Sequence, residues 1–228
     1  MVHRTVQRVS LTSFTIAIPT FFFGTILAYI LYPGYDIFRD YMSSSGQRVT
    51  YTREGITYYP APFPEVFNVT LIITGILWLP FFATAFAMLK DNGKSTFLLA
   101  LTAITGTLSG PFLIGVGIYD VGTYFDNHVF FAKNLYLSIA VTSILWALSI
   151  ISLNKDSEYK KSKWQIDIVI SLIISALMVI NYFGKQPPVY PLSKIPIPTY
   201  QKTVAYLYIG YFAVVVRRLW KIYNSSGN

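Results

Sequence analysis

The sequence predicts an all-α membrane protein: a bundle of six transmembrane helices with a small β-hairpin in the first outer loop. Three observations carry that reading. Hydrophobic residues make up 54% of the 228-residue chain and charged residues 12%, with a mean hydropathy of +0.49, and a water-facing surface needs about twice that charged fraction. Six apolar stretches alternate with polar or proline-rich segments. The 18 tyrosines supply amphipathic rings of the kind that settle at bilayer interfaces. Residues 1–228 read as a single six-span domain.

The first span runs from Leu11 to Tyr32 behind a basic start at Arg4 and Arg8, close to the ~20 residues a helix needs to cross hydrocarbon. It exceeds a signal-peptide core and ends in Tyr32-Pro33-Gly34-Tyr35 rather than a small-residue cleavage pattern. Residues 33–66 are too broken for a second crossing and are expected outside the membrane. Within them, Gln47–Thr52 and Ile56–Tyr59 have strand composition around Arg53-Glu54-Gly55, which predicts the hairpin. Val66–Leu89, Thr96–Tyr119 (interrupted by Pro111), Val129–Leu153 and Ile166–Phe183 form spans two to five. Asn154–Lys163 reads as a solvated charged loop. Gly184–Lys202 holds five prolines and is expected to be extended. Thr203–Val216 is the weakest span, 14 residues long, or about 21 Å at the helical rise, and it crosses only if Arg217 and Arg218 snorkel.

Charge sets the orientation. The formal net charge is +8, from 18 Lys and Arg against 10 Asp and Glu. In a membrane protein that excess belongs against the cytoplasmic headgroups and implies no nucleic-acid partner. With the N-terminus inside, the inner segments carry eleven Lys and Arg and the outer segments six, with Lys133 inside a span. A cell-membrane protein with both termini cytoplasmic is therefore expected. The chain has no cysteine, which excludes disulfides, thiolate metal sites and cysteine nucleophiles.

Polar groups with chemical potential are few. Two histidines, His3 and His128, are too few for a bis-histidine haem, a histidine-rich di-iron site or a multi-imidazole zinc site, so no metal and no cofactor is expected. No Gly-x-Ser-x-Gly, His-Glu-x-x-His or phosphate-cradling glycine loop occurs. What remains is Asp120, Asp126, Asn127, His128 and Lys133 at the outer ends of spans three and four. This is either an interfacial anchor or a headgroup or substrate site. Asp126 and Lys133 are seven apart, on one helical face, where the carboxylate would stabilise the ammonium. Gly106 and Gly110, followed by Gly115 and Gly117, form a small-residue face suited to close helix packing. Pro111 should kink the same helix, and Asp167 suits the N-terminus of the fifth. Asn134 and Asn181 are candidates for interhelical hydrogen bonds. Asn68-Val69-Thr70 and Asn224-Ser225-Ser226 match glycosylation sequons, and both read as chance.

Several short motifs then occur in order: Tyr32-Pro33-Gly34-Tyr35-Asp36, Arg39-Asp40, Met42-Ser43-Ser44-Ser45-Gly46, Phe67-Asn68 with Gly75, Gly115-Val116-Gly117-Ile118-Tyr119, and His128 with Ala132. The series, over spans one to four, resembles the prokaryotic six-helix membrane family catalogued as domain of unknown function 998, and more distantly the DRAM-like membrane proteins. The chain departs from that pattern by a longer insertion between Ser45 and Phe67 and by Tyr119-Asp120 where the family tends to carry Phe-Pro. The resemblance implies a six-helix bundle with these motifs gathered at its outer end.

The expected function is that of a non-enzymatic multi-pass protein, contacting membrane lipids or serving as an accessory or structural subunit beside other membrane subunits. The alternative is a lipid-modifying enzyme or small-molecule transporter using the outer cluster. The topology is directly testable, because no native cysteine interferes. Single cysteines at Ser193 and Ser225 should label with an impermeant maleimide from opposite sides of the membrane, and labelling of both from one side would contradict six spans.

Overall fold

The computed structural model describes residues 2–53, 55–90, 96–152, 165–183 and 196–225. Its helices are α1 (Val2–Ile30), α2 (Pro64–Leu89), α3 (Thr96–Ile118), α4 (Phe125–Ile151), α5 (Gln165–Phe183) and α6 (Ile197–Ser225). The first five are long and apolar enough to cross a bilayer. Pro19, Pro80 and Pro111 lie inside α1, α2 and α3. The charged stretch 154–163 and most of the proline-rich stretch, 184–195, fall outside the described residues.

The last helix differs from expectation. It is 29 residues long, or about 44 Å at 1.5 Å per residue. The extended segment expected up to Lys202 is helical from Ile197 onward, because Pro196 and Pro198 sit before and within the first turn, where no amide donor is needed. Its buried stripe of Tyr200, Val204, Tyr208, Phe212, Val215 and Leu219 recurs every three or four positions. That face outlasts the continuous apolar run because exposed Thr203 and Arg217 lie on the other side.

Consecutive helices pack as antiparallel neighbours, and α6 closes the arrangement between α5 and α1. The termini meet at one end, where the Arg4 guanidinium donates to the Tyr223 carbonyl at 3.1 Å. The hairpin forms as expected, β1 (Tyr51–Arg53) pairing antiparallel with β2 (Ile56–Tyr58), Tyr51 opposite Tyr58. Gly55 supplies the positive φ of 78° that its turn requires.

Helices α2 and α3 cross closely enough for their backbones to touch. A Cβ on Gly75 would lie 2.8 Å from the Gly110 carbonyl oxygen, one on Gly110 3.0 Å from that of Gly75, and one on Gly117 2.6 Å from that of Asn68. Backbone therefore meets backbone, which only glycine permits. Gly106 and Gly115 instead lie under the rings of Phe82 and Phe131. Towards the termini, Phe14, Trp78, Phe81, Phe82, Tyr208 and Phe212 join α1, α2 and α6 in one aromatic core, with Phe14 and Phe81 stacked at 3.9 Å and Trp78 and Tyr208 at 5.5 Å.

Gly210 on α6 is a useful contrast, since a Cβ there would meet nothing within 4 Å. Gly110→Val should destabilise the bundle by about 1–3 kcal/mol through overpacking. Gly210→Ala should leave the thermal midpoint in detergent unchanged or raise it, since alanine is the better helix former by about 0.5–1 kcal/mol. Equal effects of the two substitutions would contradict the crossing.

Candidate functional site

The end of the bundle opposite the termini is closed by the first loop, which is not the solvated segment its polarity suggests. Met42–Gly46 forms a 3-10 turn that re-enters the mouth of the bundle, and Ser44, Ser45 and Gln47 are fully buried. Asn68, the residue in the sequon, is buried too, and its amide donates to the Gly46 carbonyl at 2.9 Å. It is a structural clamp rather than a modification site. The Gln47 amide donates to the Tyr59 carbonyl, the Tyr32 hydroxyl donates to the same oxygen at 2.6 Å, and Ala61 N–H donates to the Gln47 carbonyl at 3.0 Å.

Lys202 fastens this cap to α6. Although only 4% exposed, its ammonium donates to the Asp40 carbonyl and, at 3.0 Å, to the Tyr35 hydroxyl. It also lies 4.9 Å and 5.8 Å from the ring centres of Tyr35 and Tyr29, which stack on each other at 4.6 Å. Burial, reinforced by the Asp40 carboxylate, pushes the Tyr35 phenol well above its ordinary pKa. The phenol therefore stays protonated, accepting from Lys202 while donating to the Tyr41 carbonyl at 3.3 Å. Sequence reasoning missed Lys202 and counted it as a loop cation. Its helical register with Tyr206, four residues on, was the available signal.

The five residues singled out in the sequence divide into two sets. Asp120 and His128 are buried, whereas Asp126, Asn127 and Lys133 are exposed. One Asp120 oxygen accepts from the backbone N–H groups of Arg48 (3.3 Å), Gly122 (3.1 Å) and Thr123 (2.9 Å) and from the Thr123 hydroxyl (3.1 Å). It ties the α3–α4 connection to the first loop. The expected ion pair between Asp126 and Lys133 does not form among the described residues, and both residues are exposed. Asn134 donates within its own helix, to the Phe130 carbonyl at 2.8 Å, rather than across an interface. Arg218, expected to snorkel, pairs with the buried carboxylate of Asp167.

His128 Nδ1 lies 2.7 Å from the Tyr119 carbonyl oxygen. A carbonyl accepts only, so Nδ1 carries a proton and donates to it. The ring lies between two voids. One, about 70 Å³, is walled mainly by apolar side chains such as Phe67, Leu71 and Val116. The other, about 110 Å³, is polar, lined by Ser43, His128, Lys133, Tyr136, Asn181 and Gln201 among others. The Gln201 amide nitrogen donates to the Tyr136 hydroxyl, but Gln201 Oε1 and the buried Asn181 Nδ2 have no hydrogen-bond partner. Unpaired buried polar atoms are costly, and these two share a lining with a lysine and no carboxylate. The void suits a small, hydrogen-bonding, electron-rich group. Among the described residues no group of three or more His, Cys, Asp or Glu is placed to hold a metal ion.

The lock at Lys202 has a measurable consequence. Lys202→Met keeps the stem but removes the ammonium donor from the Asp40 carbonyl and the Tyr35 phenol. It should cost about 1–3 kcal/mol, lowering the thermal midpoint and exposing residues 33–47 to protease before the helices. An unaltered midpoint and cleavage pattern would show that the lysine is not the fastening.

The motifs whose order resembled a known family are the ones this geometry brings together: Gly46 with Asn68, Asn68 with Gly117, Tyr35 with Asp40, and Tyr119 with His128. A family model described as protein of unknown function (DUF998) matches residues 15–187, from within α1 to beyond α5 and short of α6. No curated protein and no solved structure matches the chain. With a match over more than half of its length, the chain belongs to the DUF998 family, a helical, membrane-type family of unknown function.

Proposed function

We propose that this chain is a non-enzymatic, six-span protein of the cell membrane, with both termini in the cytoplasm, that holds a lipid headgroup in the polar void beside His128. The observation that carries the reading is the pair of unpaired polar atoms, Asn181 Nδ2 and Gln201 Oε1, in a void with Lys133 and without a carboxylate. An oxyanion such as a headgroup phosphate accepts from the amide and neutralises the ammonium. Its own hydroxyl or ammonium substituent serves the Gln201 oxygen. His128, committed through Nδ1 to Tyr119, orients the wall of the void in this reading and moves no proton. A crossing by α6 is supported by its buried stripe from Tyr200 to Leu219, which spans about 29 Å at the helical rise, close to a bilayer core. An accessory role beside other membrane subunits fits the many large apolar side chains exposed along α1 and α5.

Purification in mild detergent followed by native mass spectrometry tests the proposal. The chain should retain an anionic phospholipid. Asn181→Leu and Lys133→Ala should each weaken retention about tenfold, as loss of one charge-assisted hydrogen bond predicts. Absence of retained lipid, or retention by both variants equal to that of the parent chain, would overturn it. A changed cellular lipid composition in a His128→Ala strain, with the protein at its normal level, would favour a lipid-modifying enzyme instead.

A further inference from the structure

The α5–α6 interface is bridged by long polar side chains. The Tyr200 hydroxyl donates to the Leu177 carbonyl at 2.8 Å, the hydroxyls of Tyr211 and Ser171 meet at 2.9 Å, and Arg218 pairs with Asp167. In front of these struts runs a groove of about 490 Å³ walled by Ile170, Ile173 and Leu177 of α5 and by Leu207 and Val214 of α6. Four of those five side chains, Ile170, Ile173, Leu207 and Val214, are exposed, so the groove opens sideways.

Two independent observations point to an occupant. Gly210 forms the floor of the groove, and among the described residues it is the one helical glycine whose Cβ would meet nothing within 4 Å. The glycines of α2 and α3 are pressed against neighbouring atoms, whereas here the missing side chain serves only to leave space. At the terminal end of the groove lies Asp167, 1% exposed, with Oδ2 on Arg218 and Oδ1 buried without a hydrogen-bond partner. A carboxylate oxygen left in that position wants a hydroxyl or ammonium donor. The same end of the bundle is strongly basic, since the start of α1 and the end of α6 carry Arg4, Arg8, Arg217 and Lys221.

We propose that the groove between α5 and α6 binds one acyl chain of an anionic phospholipid bearing a hydroxylated headgroup, its chain lying over Gly210 and a headgroup hydroxyl donating to Asp167 Oδ1. The apolar wall matches the hydrocarbon, the surrounding cations match the phosphate, and the orphan oxygen matches the hydroxyl. This site is separate from the void beside His128, which lies at the opposite end of the bundle, and neither depends on the other.

The full chain reconstituted in phosphatidylcholine nanodiscs, doped with a phosphatidylglycerol analogue that carries a photoreactive diazirine in one acyl chain, tests the proposal. Crosslinks should concentrate in peptides of α5 and α6. They should be displaced saturably by unlabelled phosphatidylglycerol, with phosphatidylcholine at least tenfold weaker. Gly210→Leu, which fills the groove, should reduce the label at least fivefold. Gly210→Ala should keep at least half of it. Should Gly210→Leu fail to fold, the competition series on the parent chain still decides. Labelling that is non-saturable, spread evenly over the lipid-facing helices, or unchanged in a folded Gly210→Leu chain would overturn the proposal.

Discussion

The loop end of this bundle depends on how closely α2 and α3 approach. Lipid tails are as apolar as leucine, so burial of apolar surface does not drive membrane helices together, and backbone contact has to do that work. The contact at Gly75 and Gly110 supplies it, and Gly117 extends it to the backbone of Asn68. With Asn68 fixed at the seam, its amide meets the Gly46 carbonyl and the re-entrant turn has a seat. Once that turn is seated, Tyr35 and the Asp40 carbonyl stand where Lys202 can reach them, and α6 is fastened at its first turns. The polar void beside His128 lies between the turn, α4 and α6, so it exists because that sequence of contacts closes.

The same physics explains why so many polar groups are buried. In hydrocarbon each unsatisfied donor or acceptor is expensive, and most are paired locally. Thr25, Thr102, Thr142 and Ser149 return their hydroxyls to carbonyls four residues back. The Thr105 and Thr142 hydroxyls meet between α3 and α4 at 3.0 Å. Thr74 Oγ1, Trp78 Nε1 and the Tyr208 hydroxyl are buried without a hydrogen-bond partner inside the packed bundle, whereas the orphan atoms of Asn181, Gln201 and Asp167 belong to residues that line cavities.

The fold was legible where it follows from apolar runs and turn chemistry: five strongly hydrophobic helices and a hairpin with glycine at its positive-φ position. Helix α6 was underestimated because a run of apolar residues was counted where a periodic face was what mattered. Lys202 and Gln201 interrupt the run without leaving the helix. The re-entrant turn was illegible for a different reason. Met42-Ser43-Ser44-Ser45-Gly46 looks like a solvated loop by composition, and it is buried only because Asn68, far away in sequence, gives its backbone a partner. Asp126 and Lys133 share a helical face but lack an enclosing neighbour, so proximity on the helix did not become an ion pair. Asp120 and His128 proved to be positioned by backbone, through partners that no spacing rule reveals.

The chain thus resembles a bundle with a closed lid, and binding at the lid is a property of how the lid is held. The Asn68 clamp on Gly46 seats the turn, and amide hydrogen exchange on the Asn68→Leu chain measures whether it does. Protection should fall across residues 42–47 and 59–61 while that of α2 and α3 around Gly75 and Gly110 is retained. Unchanged protection in the turn, or a uniform loss through the whole bundle, would contradict it.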